Sequence, residues 1–132
     1  MNSFRLLRPE EVLYQWDELA AVLAPAVLSC AGELVVDDLR DAILGGRMFA
    51  FYDGSFALVC HFEIHPRKVA LAIDYGAGVV TARSDIAEVL TAFGKSGGAD
   101  TVRTYCRNPA MTRYYRRWFG LKPIYTVLEK PL

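Results

Sequence analysis

A chain of 132 residues, 53% hydrophobic and 23% charged, is long enough for one domain with a continuous core and too short for two ordinary ones. That composition excludes a disordered or low-complexity segment, and no apolar run approaches the roughly 20 residues that a membrane-spanning helix needs. The net charge of zero hides an asymmetry: residues 10–41 carry Glu10, Glu11, Asp17, Glu18, Glu33, Asp37, Asp38 and Asp41 against Arg40 alone, whereas Arg103, Arg107, Arg113, Arg116, Arg117 and Lys122 meet no acid between Asp100 and Glu129.

Phe4 to Arg8 reads as a short strand closed by Pro9, which is tolerated in a first helical turn where its missing N–H has no partner anyway. Glu10 and Glu11 favour the positive end of the helix that follows. Val12, Leu13, Trp16, Leu19, Ala20 and Leu23 recur at helical spacing and predict an amphipathic helix over 10–24, interrupted by Pro25. A second helix is expected over Val35–Leu44, with Gly45-Gly46 as its stop. Strands Arg47–Tyr52 and Phe56–Ile64 flank Asp53-Gly54, which predicts a type I′ hairpin turn with positive φ at both residues.

Val69–Tyr75 is a near-continuous apolar run, as in a strand covered on both faces, and Gly76-Ala77-Gly78 is expected to break it. Ile86, Val89, Leu90 and Phe93 define a helix capped by Ser84 or Asp85, leaving through Gly94–Gly98. Thr101–Cys106 predicts a strand, Pro109–Phe119 a helix with Asn108 as its cap, and Ile124–Leu128 a last strand. The order β-α-α-β-β-β-α-β-α-β implies a single mixed α/β domain over 1–132, its sheet covered by helices on both faces, with a parallel crossover from Val69–Tyr75 to Thr101–Cys106. Cys30, Cys60 and Cys106 are odd in number and widely spaced, which fits reduced thiols in a cytoplasmic protein. Met1–Arg8 contains no apolar run with a small-residue cleavage site, so no secretory leader is expected.

This element order resembles the GCN5-related N-acetyltransferases across nearly the whole chain. Two stretches carry the resemblance further. Phe4-Arg5-Leu6-Leu7-Arg8-Pro9-Glu10-Glu11 is similar to the family's first strand and helix entry. Asn108-Pro109-Ala110-Met111 through Tyr115 to Gly120-Leu121 is similar to its late helix, although the tyrosine-to-glycine spacing is one residue longer and leucine replaces an aromatic residue. The short length and arginine-rich late helix also resemble, more weakly, acetyltransferase-like proteins of tailed bacteriophages, some of them virion-borne.

The resemblance implies acyl-CoA as the donor, an amine acceptor, and a cleft where the strands before and after the crossover splay apart. It assigns the pyrophosphate to a glycine loop opening a helix, where backbone N–H groups bind anions. The matching stretch is Ile73-Asp74-Tyr75-Gly76-Ala77-Gly78, with Tyr75, Gly76, Ala77 and Gly78 as cofactor-binding candidates. It departs from the family pattern in three ways. Ile73 stands where a cation or glutamine belongs, Asp74 puts a negative charge nearby, and the helix cap comes late. Arg83 is the candidate replacement cation and Asn108 a further cofactor contact.

Tyr115 matches the family tyrosine that protonates the departing CoA thiolate, a task suited to a phenol whose pKa lies near that of a thiol. Met111, Tyr115 and Trp118 also form a plain core stripe. Strand alternation puts Val59, His61, Glu63 and His65 on one face. His61 or Glu63 is therefore the candidate general base, and the two histidines are too far apart along the strand to share a metal ion. Arg113, Arg116 and Arg117 fall on the opposite helix side from Met111, as a solvated face or a contact for phosphates or an acidic surface. Two functions stay open: an acetyl-CoA-dependent N-acyltransferase, or a non-catalytic interaction protein of the same fold, self-associating or docking through the arginine-rich helix, cytoplasmic or virion-associated. Nucleic-acid binding ranks behind both, and no membrane role is expected.

Overall fold

In the computed structural model, residues 3–79 and 84–132 are described. They form β1 (Arg5–Leu6), α1 (Pro9–Tyr14), α2 (Trp16–Val27), α3 (Val36–Leu44), β2 (Phe49–Tyr52), β3 (Phe56–His65), β4 (Lys68–Gly78), α4 (Ser84–Ser96), β5 (Thr101–Thr104) and α5 (Pro109–Phe119). The five strands lie in sequence order in one sheet, antiparallel except for the β4–β5 pair. Strand alternation divides their side chains between two cores. On the front face, Ala50, Tyr52, Ala57, Val59 and Tyr75 pack under Val12, Leu19, Leu23, Leu39 and Ile43 of α1–α3. On the back face, Phe51, Leu58, Cys60, Leu71 and Ile73 pack under Ile86 and Leu90 of α4 and Tyr115 of α5.

Three local expectations change. The first helix breaks at Gln15, not at Pro25, which lies inside α2. Proline forfeits one backbone bond and crowds the preceding turn, but α2 has only two residues left to run, and buried Leu23 and Val27 hold its end against the sheet. The Asp53-Gly54 turn is not type I′: Gly54 has φ 94°, whereas Asp53 is absent from the positive-φ positions. Buried Asp53 instead accepts hydrogen bonds at Oδ1 from the amides of Ser55 (2.8 Å) and Phe56 (2.7 Å) and from the Ser55 hydroxyl (2.9 Å), an Asx-type turn that the side chain builds for itself.

The last predicted strand does not form. Residues 120–132 carry no regular structure, and Ile124, Val127 and Leu128 are exposed. A strand is stabilised by its partner rather than by its own pattern, and this segment meets β5 through a side chain only, the Arg103 guanidinium donating to the Tyr125 hydroxyl at 3.1 Å. Other boundaries follow the sequence closely. Asn108 caps α5 by accepting from the Met111 amide (2.9 Å), and Gly120 ends it at φ 68°. Among the described residues, no helix is long and apolar enough to cross a membrane.

Candidate active site

β4 changes character at Asp74. From Ala70 to Ile73 it pairs with β5 (Thr101 to Thr104) on one edge and β3 on the other. The β3 register then slips, Cys60 facing Ile73 and Val59 facing Tyr75, so Asp74 is the extra residue of a β-bulge. Beyond it β4 continues to Gly78 bonded to β3 alone, so the expected glycine break is strand. Asp74–Gly78 therefore present one backbone edge that no described strand covers. Gly78 is obligatory here: at φ 112° an added Cβ would stand 2.1 Å from the Ser55 carbonyl oxygen.

The bulge turns the Asp74 carboxylate to the front face, where it meets His61 (Nδ1 to Oδ2, 2.6 Å). That hydrogen bond raises the His61 pKa, while burial raises that of Asp74 against the opposing pull of His61. With Nδ1 committed to Asp74, Nε2 is the nitrogen left to exchange a proton, and it stands 3.9 Å from Glu63 Oε2. Glu63 accepts from the Tyr105 hydroxyl (2.5 Å), and its other oxygen lies 3.4 Å from Arg103 Nη1 and 3.7 Å from His65 Nε2. Burial, then the Glu63 bond, pushes the Tyr105 phenol well up. The cluster is partly open to solvent at His61 and His65 and more closed at Asp74, Glu63 and Arg103.

On the back face, Tyr115 lies buried against the uncovered half of β4. A Cβ placed on Gly76 would stand 3.3 Å from its hydroxyl and 3.3 Å from the Phe56 ring, so glycine is what lets the phenol reach the strand. Burial holds Tyr115 protonated far above the usual phenol range, and Tyr114 and Phe119 pack its ring at 5.1 and 5.2 Å. Where the strands part, Thr104 donates to the Ile73 carbonyl (3.1 Å). Arg107 reaches across to the carbonyls of Asp74 (3.1 Å) and Tyr105 (3.4 Å), its guanidinium 4.9 Å from the Tyr75 ring centre. Burial pushes the Tyr75 phenol up to about 12.

His61 and Glu63 thus lie together on one face of the parting strands, and Tyr115 and Gly76 on the other. Ala77 and Gly78 lie further along the same strand, Tyr75 is a buried wall, and Asn108 is occupied as a helix cap. Arg83 falls outside the described residues. Arg113, Arg116 and Arg117 are exposed. Sequence reasoning missed Tyr105, had Arg103 and Arg107 only as members of the basic run between Asp100 and Glu129, and took Asp74 for a charge beside phosphates. Only a bulge, invisible in a run of strand formers, turns Asp74 toward His61. Among the described residues, no group of three His, Cys, Asp or Glu side chains could hold a metal ion.

No protein-family model and no curated protein matches the sequence. Solved structures do match over its length. An aminoglycoside acetyltransferase from an uncultured soil metagenomic sample, in complex with sisomicin, superposes with a TM-score of 0.71 at 12% identity, covering 98% of this chain and 95% of that one. A ribosomal-protein-alanine N-acetyltransferase from Brucella melitensis biovar Abortus 2308 gives 0.68 at 14%, covering 98% and 99%. A transcriptional regulator from Bacillus halodurans C-125 gives 0.70 at 14%, with both chains covered completely. The chain has the mixed α/β fold of the GCN5-related N-acetyltransferases.

Proposed function

We propose that the protein is an acyl-CoA-dependent N-acyltransferase that acetylates an amine. The observation that carries this reading is the parting of β4 and β5, with the His61–Asp74–Glu63 cluster on its front side and the Tyr115 hydroxyl against Gly76 on its back side. The residues present suit a thioester donor with an extended amide-bearing arm. Asp74–Gly78 offer a backbone edge without a strand partner, Gly76 presents no side chain, and Arg107 supplies a cation at the opening.

When bound, acetyl-CoA supplies an activated acyl carbon, and the chain's residues handle protons on either side of it. An amine enters as its ammonium form, which the carboxylates of Glu63 and Asp74 attract. His61 Nε2 accepts the ammonium proton, directly or through water, while Asp74 holds the imidazole by Nδ1. As the new C–N bond forms and the C–S bond breaks, Tyr115 donates its hydroxyl proton to the departing sulfur, and a proton from solvent then restores the phenol. Glycines and the backbone edge orient rather than react. The free thiols of Cys30, Cys60 and Cys106 agree with a cytoplasmic setting.

The test is thermal and kinetic. Acetyl-CoA at about 100 times its Kd should stabilise the fold by about 2.7 kcal/mol, and Tyr115→Phe should keep that shift while losing turnover. Absence of any shift at millimolar acetyl-CoA would overturn the reading. One observation favours the second reading, a non-catalytic interaction protein, phage- or virion-associated: Ile124, Tyr125, Val127 and Leu128 are all exposed in the segment that meets β5 through Tyr125. That reading requires self-association that is lost when Val127 and Leu128 become serine.

A further inference from the structure

The front face carries a second feature, at the far end of the strands from Gly78. Where β3 turns into β4, an open depression is lined by His65, Pro66, Arg67, Lys68, Arg103 and Tyr125. Three of these side chains are permanent cations and a fourth is an imidazole. Among the described residues, no carboxylate forms an ion pair with the side chain of Arg67 or Lys68. Two acids stand by: Asp100, whose Oδ2 accepts from the Val69 amide next to Lys68 (3.0 Å), and Glu63, whose Oε1 is 3.4 Å from Arg103 Nη1 and 3.7 Å from His65 Nε2, and whose Oε2 already accepts from Tyr105. Glu63 thus offsets Arg103 and Asp100 lies by the backbone of Lys68, so three cations face two carboxylates and the depression keeps a net positive charge, with neither Arg67 nor Lys68 in an ion pair. Pro66 and the Tyr125 ring, tied to Arg103 at 5.9 Å from its guanidinium carbon, supply apolar walls.

Glu63 joins this depression to the cluster described above, since its two oxygens touch Arg103 on one side and stand 3.9 Å from His61 Nε2 on the other. We infer that the depression is the acceptor's anion subsite, and that the acceptor is a small molecule carrying a carboxylate or phosphate on the same skeleton as its amine. This rests on the acyltransferase reading. The anion would lie against Arg67, Lys68 and the outer edge of Arg103, where guanidinium forks match two oxygens at once. The ammonium group would lie on the other side of Glu63, at His61. A polycation would bring further ammonium groups against Arg67 and Lys68 and be repelled, so the chain selects against acceptors of the aminoglycoside type.

The experiment has two arms. In the first, inorganic phosphate and acetate are titrated separately into the apo protein while the His65 imidazole resonances are followed. Saturable shifts are expected, with affinity reduced about tenfold or more in the Arg67→Glu/Lys68→Glu double variant, because charge-assisted bonds are lost. The stronger anion identifies the headgroup. In the second, kcat/KM is compared for glucosamine 6-phosphate against glucosamine, and for γ-aminobutyrate against butylamine. An anion preference of about tenfold or more in the wild type, falling to near unity in the double variant while acetyl-CoA binding is unchanged, supports the subsite. Acetyl-CoA binding with equal use of charged and neutral amines overturns it and leaves the acyltransferase reading standing. Phosphate binding at His65 without acetyl-CoA binding overturns the acyltransferase reading and the acceptor role together, leaving only an anion site.

Discussion

From Ala70 to Ile73, β4 is hydrogen-bonded on both edges, and its side chains are buried on both faces. From Asp74 to Gly78 the same strand keeps β3 but loses β5, gains a bulge, and exchanges aliphatic residues for an acid, a tyrosine, an alanine and two glycines. The first half is stabilised by burial, the driving term of the fold. The second half leaves backbone groups without a strand partner and holds a histidine–aspartate pair, features that cost stability and are of use to a ligand. The candidate chemistry lies where the sheet stops satisfying itself.

The largest test of this contrast is Leu71→Ala, in the doubly paired half. Leu71 is fully buried in the core that also holds Ile73 and Leu90, and its side chain lies against Gly94; urea unfolding should register a loss of about 3–4 kcal/mol. Acetyl-CoA affinity, measured where the variant is folded, should stay within twofold. Gly78→Ala probes whether the second half is nonetheless held rigidly. A left-handed φ and a close Ser55 carbonyl predict a loss of about 3 kcal/mol. A loss below 1 kcal/mol would mean that this end of β4 moves freely from β3.

Tyr115→Phe separates packing from chemistry on the back face. Turnover should fall about 100-fold if the hydroxyl acts as the acid, with stability changed by about 1 kcal/mol or less. Equal loss in both would make Tyr115 a core residue only. The smallest effect concerns pH. The Asp74 hydrogen bond raises the His61 pKa, so the wild-type acid limb of kcat/KM lies above that of a free imidazole, and Asp74→Asn should move it to lower pH. The linked stability follows the same sign. A raised histidine pKa contributes stability fully present below the unfolded value near 6.5. That stability is lost as pH rises through the folded value, and the asparagine variant should lose less of it.

Much of the fold was legible because its signals are local. Apolar spacing in α2, α3 and α4, proline at the start of α1, Asn108 before α5 and the glycine after it all act within a few residues. His61 and Glu63 were legible too, because period-two alternation puts them on one face whatever the sheet does. The errors have one origin. Ile124–Leu128 has a strand's pattern but no partner, Asp53 replaces a backbone-driven turn by its own carboxylate, and Pro25 survives because the core holds what the backbone gives up.

Sequence by itself determined most of the element types (the last strand and the Gly76–Gly78 segment apart), the mixed sheet, the face shared by His61 and Glu63, and the aromatic late helix, since each depends on periodicity or a cap. Tertiary structure alone decided that Asp74 bulges out to hold His61 and that Tyr115 meets Gly76 across 39 positions of chain. It also decided that β5 leaves half of β4 uncovered and that Arg103 sits between Glu63 and Tyr125. These are contacts between residues distant in sequence, and register, not composition, determines which of them form.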